Sequence, residues 1–177
     1  MIARAAQAVA FPARFMLVAA TNPCPCGRAG TAGSSCTCGV NDIARYRARL
    51  SGPLADRLDL RVTVAPVALS LMQSGGGEGS AEVRSRVVAA RDRQRDRYRA
   101  MPGVHANAQA HVRTLRAAPG IEPDAHDWLV TAADRLRLSA RGYARVLRVA
   151  RTIADLDGVP QVGRDAVAEA LRFRGEI

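Results

Sequence analysis

The chain has 177 residues, and all 26 of its basic residues are arginine; set against 16 acidic residues they give a formal charge of +10. The absence of lysine excludes a self-contained phosphate loop, which ends in Lys, and Schiff-base catalysis, which needs a Lys amine. No apolar run reaches the ~18 residues of a membrane-spanning helix, and no charged-then-apolar leader opens the chain. The charge points to a polyanionic partner, nucleic acid first, although arginine in place of lysine is also what a GC-rich coding sequence produces.

In chain order, residues 13–20 form a short apolar run that stops at Thr21-Asn22-Pro23, which predicts a buried strand ended by an Asn-Pro turn. Residues 24–39 are rich in Cys, Gly, Ser, Thr and Ala and read as a compact loop. A helix is expected over 41–50, capped by Asn41 or Asp42 and broken by Ser51-Gly52-Pro53. Residues 58–64, LDLRVTV, alternate apolar and polar positions and predict a second strand, closed by Pro66.

Residues 73–80, QSGGGEGS, form the clearest linker, and the domain boundary is placed there. Everything beyond it reads as helix. Ser80 is a candidate cap for a helix to about Met101, with Val83, Val87, Ala90, Gln94 and Met101 on one face and seven arginines around the rest. A short helix is open over 108–117. Pro123 suits the first turn of a helix over 123–137, whose inward positions are Ala125, Leu129, Ala132 and Leu136. The strongest pattern is 140–157, with a stripe of Tyr143, Val146, Leu147, Ala150, Ile153 and Ala154 and with Arg141, Arg145 and Arg148 opposite. A last helix over 164–173 turns Val167, Ala170 and Leu171 inward.

The four cysteines form two pairs, Cys24-Pro25-Cys26 and Cys36-Thr37-Cys38. Four thiolates so close in sequence can close a tetrahedral site, and zinc is its usual occupant. The Cys-x-Cys spacing departs from the common Cys-x2-Cys knuckle, so free thiols and a disulfide stay open. A chain without an export signal is expected in the reducing cytoplasm, which disfavours the disulfide. Four protein ligands would leave no open position for catalysis.

Read singly, Asn22 is a turn residue, or a polar group at the carboxyl end of a strand, where α/β sheets bind ligands. Arg57 and Arg141 are individually ordinary surface charges, Arg57 with Asp56 or Asp59 as neighbouring partners. His105, His111 and His126 show no metal or triad spacing.

Together the strings FPARFMLVAATNPCPCG, RYRARLSGPLADRLDL and SARGYARVLRVARTIADLDG resemble the magnesium-chelatase-like AAA+ ATPases of the YifB/ComM type, over about residues 2–174. The resemblance implies an α+β chain: a remnant of an AAA+ α/β core over 1–72 with two strands, a Cys-rich insertion and a helix, then a linker over 73–80 and an all-α lid over 81–177. It implies sensor 1 at Asn22, the arginine finger at Arg57 and sensor 2 at Arg141, with Asn22 and Arg141 facing nucleotide phosphate. It places Cys24, Cys26, Cys36 and Cys38 in a family-typical insertion. The phosphate loop and acidic metal-binding motif of the family have no counterpart here, so the chain resembles the C-terminal part of such a protein, inactive by itself. ATP and Mg2+ are the cofactors implied for the intact parent, a hexamer working on DNA without a membrane. Two other readings are a small zinc-stabilised nucleic-acid-binding module and a fragment of a chelatase-type ATPase subunit.

Overall fold

Helix dominates because apolar residues recur at intervals of three and four along most of the second half of the chain. The computed structural model describes residues 2–4, 7–9, 15–30, 33, 35–49, 54, 57–67, 77–117 and 119–174. Among them are β1 (Ile2–Arg4), β2 (Gln7–Val9), α1 (Val40–Ala48), α2 (Ser80–Arg97), α3 (Val112–Arg116), α4 (Pro123–Arg135), α5 (Ala140–Asp157) and α6 (Arg164–Arg172). A 3-10 turn, Asn107–Gln109, precedes α3. The chain divides into two compact units, Met1–Tyr46 and Arg47–Ile177.

The two strands expected from the sequence do not form. Residues 15–20 and 58–64 have no strand structure, and residues 13 and 14 lie outside the described set. A strand exists only when its backbone N–H and C=O groups meet a partner. Residues 15–20 are exposed throughout, Phe15 to 75% and Met16 to 87%. At 58 and 61 backbone groups are taken by the turn after α6 instead. Arg61 N–H donates to the Phe173 carbonyl at 3.1 Å, and the Leu58 carbonyl accepts from Arg174 Nη1 at 3.2 Å. Among the described residues the paired strands are β1 and β2, antiparallel in the register Ile2–Val9, Ala3–Ala8 and Arg4–Gln7. The described structure is therefore mostly helical rather than evenly α+β.

In the first unit, α1 begins at Val40, one residue earlier than expected, with Asp42 in its first turn. Asp42 N–H closes a turn onto the Gly39 carbonyl. The breaker Ser51-Gly52-Pro53 and linker residues 73–76 lie outside the described residues.

In the second unit, α5 is the central element. It packs against α6, α2, α3 and the 3-10 turn, while α4 packs on α6. Ser139 Oγ caps α5 by accepting from Gly142 N–H at 3.0 Å, and Gly158, in the left-handed region at φ 76°, ends it. The apolar stripe buries Val146, Leu147, Ala150, Ile153 and Ala154 against Leu115, Leu129, Val162 and Val167. Each fully buried Leu or Val side chain stabilises by roughly 1.5–3 kcal/mol before entropy is counted. Gly120 joins α3 to the strand-like bridge between Ile121 and Val162. At φ +46° it brings its Cα so near the Arg116 and Ala117 carbonyls that an added Cβ would lie 2.5 and 2.6 Å from their oxygens.

Four expected core positions, on α2 and α4 and just beyond them, are exposed instead. On α2 only Ala90 and Gln94 of the expected face are buried, and Val83, Val87 and Met101 are exposed. The helix extends beyond its packing partners, so its first ten residues contact little. Its N-cap is Gly79 rather than Ser80, with Gly79 N–H donating to Glu82 Oε2 at 3.2 Å. On α4 the buried residue of the last turn is Ala133, and Leu136, at the C-cap, is 56% exposed.

Candidate functional site

The local chain of the first unit is shaped around sulfur. Gly27, at φ +79°, closes a turn by donating its N–H to the Cys24 carbonyl at 3.0 Å. That turn doubles the chain back so that Cys24, Cys26, Cys36 and Cys38 present four sulfur atoms within 4.8 Å of one another. The Sγ–Sγ separations are 3.4 Å for Cys24–Cys26, 3.7 Å for Cys24–Cys36 and 3.6 Å for Cys26–Cys36. A tetrahedral zinc with Zn–S bonds of about 2.3 Å requires sulfur–sulfur edges of about 3.8 Å, so the four residues fit zinc. All four cysteines are unbridged.

The electrostatics favour a cation. Backbone N–H groups of Thr37 and Arg28, with the Cys24 thiol, lower the Cys26 thiol to about 5. Ala29 N–H donates to Cys24 Sγ at 3.2 Å. Cys38 is pushed up to about 12, because desolvation and the sulfurs of Cys26, Cys24 and Cys36 outweigh the lowering by the Cys26 backbone N–H. One thiolate forms readily and the last resists. That is the behaviour of like charges crowded together, which a dication would relieve.

Asn22 stands exposed in the same unit. Its side-chain amide lies over the Cys24–Gly27 turn, 3.7 Å from where a Cβ on Gly27 would sit. The neighbouring Thr21 hydroxyl lies 3.0 Å from the Tyr46 hydroxyl of α1.

Arg57 and Arg141 both belong to the second unit, and both are exposed. Arg57 closes a short turn with its N–H on the Leu54 carbonyl at 2.9 Å. Arg141 lies in the first turn of α5. The residues just after Arg57 are held to the helices by three ties: Asp59 Oδ1 to Arg145 Nε at 3.1 Å, the Leu58 carbonyl to Arg174, and Arg61 N–H to the Phe173 carbonyl. The segment that follows Arg57 is thus tied through Arg145 to the helix whose first turn holds Arg141, and through Phe173 and Arg174 to the turn after α6. Asp59, expected beside Arg57, pairs with Arg145.

The arginine face expected on α5 is only partly solvated. Arg145 is tied to Asp59, and Arg148 Nε donates to the Ala110 carbonyl at 3.1 Å. A group that the sequence reading missed lies on the buried face. Asp155, fully buried, takes a two-pronged contact from Arg97 at 2.8 and 2.5 Å, a contact from Arg151 at 3.1 Å and the Asn107 amide at 2.8 Å. The Tyr98 hydroxyl donates to Asn107 Oδ1 at 2.7 Å. The signal was present: Arg151 follows Leu147 by four residues and precedes Asp155 by four, placing both charges in the apolar stripe.

No helix among the described residues is long and apolar enough to cross a membrane. Residues 1–72 match the family described as magnesium chelatase, subunit ChlI, and residues 77–174 match its C-terminal family. The chain is 42% identical over 173 residues to an uncharacterized protein of Mycobacterium tuberculosis, covering 98% of this chain and 34% of that protein. It is 37% identical over 179 residues to the competence protein ComM of Haemophilus influenzae, covering all of this chain and 34% of ComM. It is 37% identical over 175 residues to the uncharacterized protein YifB of Escherichia coli, covering 98% and 33%. The chain spans about a third of the length of the curated relatives it matches. With residues 1–72 and 77–174 both matched, the chain belongs to the magnesium-chelatase-like family of the YifB/ComM type.

Proposed function

We propose that this chain supplies the sensors, the arginine finger and the lid of a hexameric AAA+ ATPase that does work on DNA. The observation that carries the reading is the pair of adjoining family matches over 1–72 and 77–174, within which Arg57 and Arg141 are both exposed on one unit. In this reading Asn22 orients the attacking water and Arg141 contacts phosphate from the lid. Arg57 reaches the γ-phosphate of a neighbouring subunit, where a planar guanidinium can meet phosphate oxygens in two places and offset charge in the transition state. The domain boundary falls at 73–80, between the core residues and the lid. ATP and Mg2+ would be held together with a lysine-bearing phosphate loop and an acidic motif, and this chain has no lysine. By itself it hydrolyses no ATP. Zinc at the four cysteines is structural, because four sulfur ligands fill its coordination.

The test joins the chain to such a phosphate-loop module. Arg57→Ala should lower ATP turnover by about 10³-fold or more and leave ATP affinity within about threefold. Full turnover in the variant would remove the finger assignment.

The +10 charge and the four-sulfur cluster favour a second reading, a zinc-stabilised nucleic-acid-binding module. It requires the isolated chain to retard DNA with an affinity that falls steeply with salt. Absence of retardation at low salt would exclude it.

A further inference from the structure

Asn22 and the sulfur cluster are joined by covalent and hydrogen-bonded routes that all lie in the first unit. Along the chain the order is Asn22-Pro23-Cys24-Pro25-Cys26. Each proline fixes its own φ and confines the residue before it to extended backbone. The backbone is therefore narrowed at every position from 22 to 25. Holding the Cys24 sulfur in a metal site also holds the backbone that carries the Asn22 side chain.

Two contacts reinforce this coupling. Gly27 closes its turn onto the Cys24 carbonyl, and the Asn22 amide lies against that turn. On the other side, the Thr21 hydroxyl donates to the Asn22 carbonyl at 3.3 Å. A hydroxyl has one proton, so Thr21 then accepts from the Tyr46 hydroxyl at 3.0 Å. Tyr46 belongs to α1, which begins at Val40, two residues after Cys38. The cluster thus closes a loop. Its first cysteine leads back to Asn22, and its last leads on to the helix whose Tyr46 reaches Thr21. A metal joining the two cysteine pairs makes this loop rigid, whereas an exposed hydroxyl pair holds weakly against water.

We propose that the metal-loaded cysteine cluster, together with Tyr46, positions the Asn22 side chain, so that the four-sulfur site serves ATP hydrolysis and not the loop alone. The cysteines and Tyr46 are positioning residues and touch no nucleotide. The inference rests on the reading of Asn22 as the group that orients the attacking water.

The full chain, zinc-loaded, is labelled with heavy nitrogen at asparagine. Asn22, Asn41 and Asn107 then give three side-chain amide signals, and Asn22→Asp assigns the first. Stripping the zinc should move the Asn22 signal to that of a freely rotating amide, and adding zinc back should restore it. Asn107, buried in the second unit, should not move. In the chain joined to a phosphate-loop module and assayed with Mg2+, stripping zinc should lower kcat about tenfold or more and leave KM for ATP within about twofold. Zinc-loaded Tyr46→Phe should lower kcat about fivefold. An Asn22 signal that stays in place after elemental analysis shows the zinc gone overturns the proposal. So does a chain that takes up no zinc, or a loss of ATP affinity as large as the loss of kcat. Asn22→Ala separates the two readings. Full turnover in that variant removes the sensor reading itself, whereas lost turnover there with a zinc-independent kcat overturns the positioning inference alone.

Discussion

Asp59 Oδ1 lies 3.1 Å from Nε of Arg145, and the pair ties the segment after Arg57 to the first half of α5, the helix whose first turn holds Arg141. The two partners are unequal: the Asp59 side chain is 59% exposed and that of Arg145 16%. An exposed carboxylate pays little to lose its partner, whereas the stem of Arg145 is packed. Arg145→Ala should therefore destabilise the chain by about 1–2 kcal/mol, and Asp59→Ala by less than about 1 kcal/mol. Urea unfolding of both variants and of the double variant checks this; equal effects would mean that the ion pair alone, without packing, holds the segment.

The cysteine geometry leads to a stoichiometric expectation. Protein produced with zinc should carry one zinc ion per chain by elemental analysis. Cys24→Ser should lose it, because Cys24 is the buried member and its sulfur touches both Cys26 and Cys36. Chelation should expose the 24–38 segment to proteolysis, since its two cysteine pairs are then no longer joined through a metal. Unchanged cutting after complete metal removal would contradict a structural role.

Asp155 is the only carboxylate seen to contact Arg97 and Arg151 among the described residues. Asp155→Asn keeps the size of the side chain and removes the charge, leaving two guanidinium groups unmatched. Breaking a buried pair in this way costs about 3–5 kcal/mol, which chemical unfolding can read directly. Asn107→Ala removes a neutral bridge between the same groups and should cost less.

Burial raises Tyr98 above the ordinary tyrosine value, opposed by Arg97. Tyr143 is raised by burial as well, opposed by Arg116. A raised folded-state value means that the folded chain holds the phenol proton longer than the unfolded chain does. Their contribution is complete below about pH 10 and is lost as pH rises through the folded-state values. The urea midpoint should fall above about pH 10, and Tyr98→Phe should flatten that fall. The variant should also start lower, by about 1 kcal/mol, for the lost bond to Asn107.

The helices of the second half were legible because their information is local. The stripe on α5 predicted its limits of 140–157, and of its six members Val146, Leu147, Ala150, Ile153 and Ala154 are buried and Tyr143 is half-buried. Pro123 at the first turn of α4 and Gly158 after α5 were equally readable, since each acts through its own backbone. The expected strands failed for the opposite reason. The alternation in 58–64 says which side chains could share a face, but a strand also needs a partner backbone, and at 58 and 61 that role went to Arg174 and Phe173.

By itself the sequence determined the helical half, the four-cysteine cluster as a metal-binding candidate and, through its motifs, the family. Only the tertiary structure decided what the arginines do. Charge along a chain is a sum, and a sum cannot separate a solvated guanidinium from one seated on a buried carboxylate. Contacts between residues far apart in sequence made that separation. They joined Arg97 to Asp155 across 58 positions and Asp59 to Arg145, and they left Arg57 and Arg141 exposed on the same unit.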